Sequence, residues 1–164
     1  MATELYDLTV PVFTRGLTNL SKLLDKAVAH AGPDAEGLLQ RRLIDDMHPL
    51  AKQVQIATDS AKLCVARLSG VDAPVMDDTE TTIDELKARI QATLDYIASV
   101  PREAIDGQEG KEVVLKFPGG EWPFKGIDYV VGFAHPNFYF HLTTAYALLR
   151  QAGVPLGKRD YIGG

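Results

Sequence analysis

Two histidines, His135 and His141, stand six residues apart across Pro136 in the stretch AHPNFYFHLTTAYALLRQAG (134–153), the most apolar part of the chain. A third, His48, precedes Pro49 in a second His-Pro pair. Each residue of a helix advances about 100°, so His141 falls within about 40° of Ala145, Leu148 and Ala152 and must face the core or a cavity opening from it. On an unbroken helix His135 lies about 120° away, too far round to chelate one ion with His141 as an i, i+4 pair does. A proline sits well at the first helical position and disfavours helical geometry in the residue before it, which frees His135 to turn back toward the helix start. Two such kinks, on the second and fourth helices, would bring His48, His135 and His141 near one end of a bundle. Three imidazoles with an open position are a divalent-metal site. A core histidine hydrogen-bonded to a neighbour is the commoner reading of such residues.

Other side chains carry less. Asp45 and Asp46 could add carboxylates beside the His48 kink, or simply face solvent. His30 fits the last turn of the first helix, where a cation meets the helix dipole. Cys64 occupies an apolar seam position, which suits an inert buried thiol better than a nucleophile. FPGGEWPFKG has glycines but neither the spacing nor the context of a phosphate loop, and there is no GxSxG elbow. Trp122, Phe124 and Tyr129 could wall a pocket or pack a loop onto the helices. Lys158, Arg159 and Asp160 sit in a glycine-bounded tail, as a subunit contact, an internal ion pair or a solvated end.

The elements that must position these residues are mostly helical. Val10, Phe13, Leu17, Leu20, Leu24, Ala27 and Ala31 alternate steps of three and four, which predicts a first helix delayed or kinked by Pro11. Leu39, Leu43, Met47, Leu50, Val54, Ala57, Ala61, Cys64 and Leu68 continue the pattern and predict a long second helix, bent at Pro49 and capped by Gly70. Thr82 and Glu85 have capping-box spacing at the start of a third helix that carries Ile83, Leu86, Ile90, Leu94 and Ile97 and stops at Pro101. EVVLKF (112–117) reads as a short strand or hairpin arm. A fourth helix is expected over 137–152, with Gly153 as its cap and an irregular tail beyond. This is an all-α chain, an up-and-down four-helix bundle with a short β excursion between helices 3 and 4.

The 164 residues suit a single domain, 1–164, with one core. One cysteine permits no internal disulfide and fits a reducing compartment, so cytoplasm is expected. A net charge of −5 with scattered Lys and Arg gives no footprint for nucleic acid. No apolar run is long enough for a membrane span, and MATELYDLTV lacks the features of a signal peptide.

The segments TVPVFTRGLTNLSKLLDKA, DMHPLAKQVQIATDSAK and above all PNFYFHLTTAYALLRQAGVPLGKRDYIG resemble an uncharacterised bacterial family, a domain of unknown function within the DinB/YfiT-like superfamily. The resemblance spans essentially the whole chain. It implies a self-associating four-helix bundle, hence a homodimer, and a superfamily that is often metal-dependent, with one histidine on the second helix and an HxxxH pair on the last. Some members are thiol-dependent transferases or isomerases. His141 matches the histidine of FHLTTAY, and His48 lies where the first ligand belongs, but Asn137 and Ala145 stand where the pair requires a second histidine. Two readings follow. One is a non-catalytic homodimeric bundle with a pocket, a small organic ligand and a degenerate metal site. The other is a thiol transferase or isomerase in which His48, His135 and His141 hold one divalent metal, zinc, nickel or iron, that activates a thiol toward a small electrophile.

Overall fold

The computed structural model describes residues 4–164; the start of MATELYDLTV, on which the export expectation rests, lies outside them. The first helix, α1 (Val10–Ala31), begins one residue before Pro11, so the proline delays the helix and does not kink it. Its buried face is Val10, Phe13, Leu17, Leu20, Leu23, Leu24 and Ala27. The long second helix is not formed as expected. Gly32–Gln40 is a 3-10 segment, 41–49 is a turn, and α2 (Leu50–Ser69) starts only after Pro49, which serves as its N-cap. The helical spacing over 39–47 is coincidental: Leu39 is buried, but Leu43 and Ile44 point to solvent, Ile44 at 61% exposure. Gly70 closes α2 with φ +76°, the left-handed geometry that costs glycine least.

The Thr82–Glu85 capping box forms: the Glu85 N–H donates to Thr82 Oγ1, and the Glu85 carboxylate receives the Thr82 N–H. It opens α3 (Ile83–Ser99). After a 3-10 turn at Arg102–Ala104, β1 (Glu112–Phe117) and β2 (Gly120–Lys125) pair as an antiparallel hairpin with Val113 opposite Phe124 and Leu115 opposite Trp122. The chain then runs through α4 (Gly126–Tyr129), a π-helical turn (Val130–Ala134) and α5 (His135–Gln151) as one continuous helical rod. Gly126 is fixed by a close approach, because a Cβ there would lie 2.1 Å from the Gln108 carbonyl oxygen.

The tail is not irregular. Lys158–Ile162 forms α6, which docks on α1: Asn19 Nδ2 donates to the Tyr161 carbonyl (3.1 Å) and Arg15 Nε to that of Ile162 (3.0 Å). Asp160 makes an internal ion pair with Lys26 at 2.6 Å.

The fold is thus mostly helical with one two-stranded sheet. Helix α5 packs most extensively on α2, and α3 lies against both α2 and α1. Among the described residues α3 and α5 have no extensive mutual contact, whereas helices joined in simple sequence order would have been neighbours there. Phe13 of α1 meets Phe138 of α5 edge-on at 5.0 Å, closing the core from the other side.

Candidate functional site

The two histidines of α5 serve different neighbours. Pro136 does not release His135 from the helix: His135 keeps helical angles, φ −63° and ψ −54°, and its N–H reaches back five residues to the Val130 carbonyl. The wider π ring accommodates the proline where an α turn would clash or break. His135 therefore faces α1. Its Nε2–H donates to the Leu8 carbonyl at 2.6 Å, and its ring meets Phe13 edge-on.

His141 faces α2. Its Nδ1–H donates to Gln53 Oε1 at 2.7 Å, and Gln53 Nε2 in turn donates to the His48 carbonyl at 3.0 Å. That chain of bonds fixes the amide orientation and the neutral tautomer, leaving His141 Nε2 as the nitrogen with the free lone pair. Burial, helped by the charge of His48, depresses the His141 pKa to about 4. His48 itself is exposed in the turn before α2, as are Asp45 and Asp46. One turn before His141, Asn137 Nδ2 donates to Ser60 Oγ at 2.7 Å.

The structure thus connects His48 with His141 through Gln53 and sends His135 to another helix. Among the described residues no three His, Cys, Asp or Glu side chains are placed to hold a metal ion. The position that an HxxxH pair would fill is occupied by Asn137, an amide already bonded to a hydroxyl and a poor substitute for imidazole. These residues do not fit a three-histidine metal centre.

Beside this seam a cleft of about 540 Å³ opens between the C-terminal half of α2, the hairpin and the π turn. Ile56, Ser60, Leu63 and Arg67 form its α2 wall, Leu115, Phe117 and Trp122 its hairpin wall, and Tyr129, Phe133 and Asn137 its floor. Tyr129 and Phe133 stack at 6.1 Å, and Phe133 meets Trp122 edge-on at 6.0 Å, with Phe124 behind them. The aromatic residues therefore both pack the hairpin and wall a cavity. Cys64 lies behind Tyr129, and burial pushes its thiol up to about 12, so it remains a protonated core residue.

The sequence reading passed over Ser60, Leu63 and Arg67. The signal was present: Ile56, Ser60, Leu63 and Arg67 follow an i, i+4, i+7, i+11 stripe offset from the core seam of α2.

The profile of a domain of unknown function (DUF1993) matches residues 5–162. The chain belongs to this family. This DUF1993 member is also similar to a solved structure, that of a DinB family member protein from Shewanella denitrificans, at 42% identity and a TM-score of 0.88, over 98% of this chain and 92% of that one. Comparison with curated proteins finds no match. No helix of the described DUF1993 residues is long and apolar enough to cross a membrane.

Proposed function

We propose that this DinB-like protein is a non-catalytic helical bundle that binds a small organic molecule in the cleft beside α2, its ancestral metal position having been taken over by neutral hydrogen-bonding groups. The cleft carries this reading: about 540 Å³ lies within the range of small-molecule sites, and its walls combine aromatic and aliphatic side chains with a few polar groups. Asn137, bonded to Ser60 where an HxxxH pair needs a second imidazole, supports the loss of the metal. The bundle is read as a homodimer on the family resemblance; sedimentation at micromolar concentration should give twice 17.9 kDa, and a monomer mass would overturn that part.

Elemental mass spectrometry on untagged protein tests the central claim. Substoichiometric zinc, nickel and iron, unchanged by His141→Ala, is the expected result. A stoichiometric metal that is lost in His141→Ala and His48→Ala would overturn it in favour of a metal-dependent thiol transferase.

A further inference from the structure

Two cations line the cleft, Arg67 and Lys116, and Arg67 is the half-buried one, held ready without an acid partner. It is half-buried on α2, its Nη1 donates to Tyr129 Oη at 2.8 Å, and its guanidinium carbon lies 5.7 Å from the centre of the Tyr129 ring. Among the described residues no carboxylate comes within ion-pair distance of it. Asp59, the acid that lines the same cleft, is already taken by Arg89 at 2.9 Å and Lys62 at 3.1 Å. Lys116, the other lining cation, is a solvated hairpin residue 3.6 Å from Glu121. A guanidinium fixed by a phenol at Nη1, with Nε and Nη2 making no hydrogen bond among the described residues, presents the planar donor edge that carboxylates accept. The apolar walls around it lower the local dielectric and strengthen such a pair.

We infer that the cleft takes a small carboxylic acid with a flat apolar body, its carboxylate on Arg67 and its body between Leu63, Leu115, Trp122 and Phe133. The inference rests on the reading of the cleft as a ligand site and names the ligand's class. Charge selects it: a cationic ligand would meet Arg67 unopposed, and a neutral one would leave the guanidinium uncompensated. A single guanidinium, with no second free cation deep in the cleft, matches a monoanion better than a phosphate dianion.

Trp122, the only tryptophan and 51% exposed on the cleft wall, reports occupancy by its emission. The full-length chain is titrated with 4-phenylbutanoate and, separately, with its uncharged analogue 4-phenylbutan-1-ol. The acid should bind about tenfold tighter than the alcohol, the contribution of one charge-assisted pair. In Arg67→Gln the acid should fall to the level of the alcohol while the alcohol is unaffected; Arg67→Lys should restore part of the difference. Equal binding of acid and alcohol to the wild type would overturn the inference and leave the cleft reading standing. Binding of neither would overturn both. Should Arg67→Gln fail to fold, the acid-to-alcohol ratio in the wild type and in Arg67→Lys decides.

Discussion

Two arginines of this protein, Arg67 and Arg89, occupy opposite kinds of environment. Arg89, on α3, has a side chain only 2% exposed, and its guanidinium is completely engaged: Nε donates to Thr58 Oγ1 at 2.8 Å, Nη2 meets Asp59 at 2.9 Å, and Nη1 meets Asp78 and Glu80 at 3.0 Å each. Lys52 and Lys62 bond the same acids, so three cations answer three carboxylates, and the loop over 71–82 is tied down onto α2 and α3. Arg67 has one phenol and an open cleft. A closed ionic network is architecture, because every charge is already answered within the chain. A half-buried cation answered by no carboxylate is open to a ligand.

The sharpest way to break this contrast is to remove each arginine. Arg89→Leu leaves Asp59, Asp78 and Glu80 crowded without their central cation, and should lower unfolding free energy by about 3 kcal/mol, the low end for a broken buried pair because Asp59 and Asp78 are themselves about one-third exposed. Urea denaturation with tryptophan emission measures it, and a loss below about 1 kcal/mol would mean that the network is ornamental.

Acid separates the His141 seam from the Arg89 network by their pH windows. His141 has its folded pKa depressed from 6.5 to about 4, so the unfolded chain takes up the proton first. Stability from this group is complete above about pH 6.5, declines as pH falls, and levels off below about 4, a loss on the order of 2–3 kcal/mol. Asp78 is held below 3.8, first by its hydrogen bond from Lys52, so its contribution persists to lower pH and is lost only as pH falls through that depressed value. His141→Gln should flatten the stability profile between pH 6.5 and 4 and leave the steeper acid limb in place; an unchanged profile between those values would refute the neutral buried imidazole.

Gly126 tests whether the hairpin wall matters to the cleft. A methyl group placed 2.1 Å from the Gln108 carbonyl must displace backbone, so Gly126→Ala should cost about 2 kcal/mol and weaken phenylbutanoate binding together. The smallest effect completes the comparison. Arg67→Gln should change stability by no more than about 0.5 kcal/mol, since no carboxylate depends on it. A loss as large as that of Arg89→Leu would show that Arg67 is also structural.

Much of the helical frame was legible because its signals are local. The Thr82–Glu85 box, the Gly70 cap and the seams of α1 and α3 depend on residues within a few turns of one another. Residues 39–47 misled because spacing alone cannot tell which leucines find a partner: Leu39 does, Leu43 does not. The five-residue α6 went unread because its stability comes from docking on Asn19 and Arg15, far away in sequence. At the site, His141 was correctly placed facing inward, while His135 was misdirected by a rule for prolines at helix starts that does not apply when the helix has already begun at Gly126. The cleft needs a hairpin some fifty residues after Arg67, and no periodicity within α2 reveals that wall.

The π turn at 130–134 acts as a phase shifter. One residue more than an α turn requires rotates everything before it by about 100° relative to everything after it. Tyr129 is thereby aimed at Arg67, while, farther along the same rod, Phe138 is aimed at Phe13 and His141 at Gln53. Deleting a single residue from 130–134 would put the two halves back in step, and the rod could then satisfy the core or the cleft, but not both.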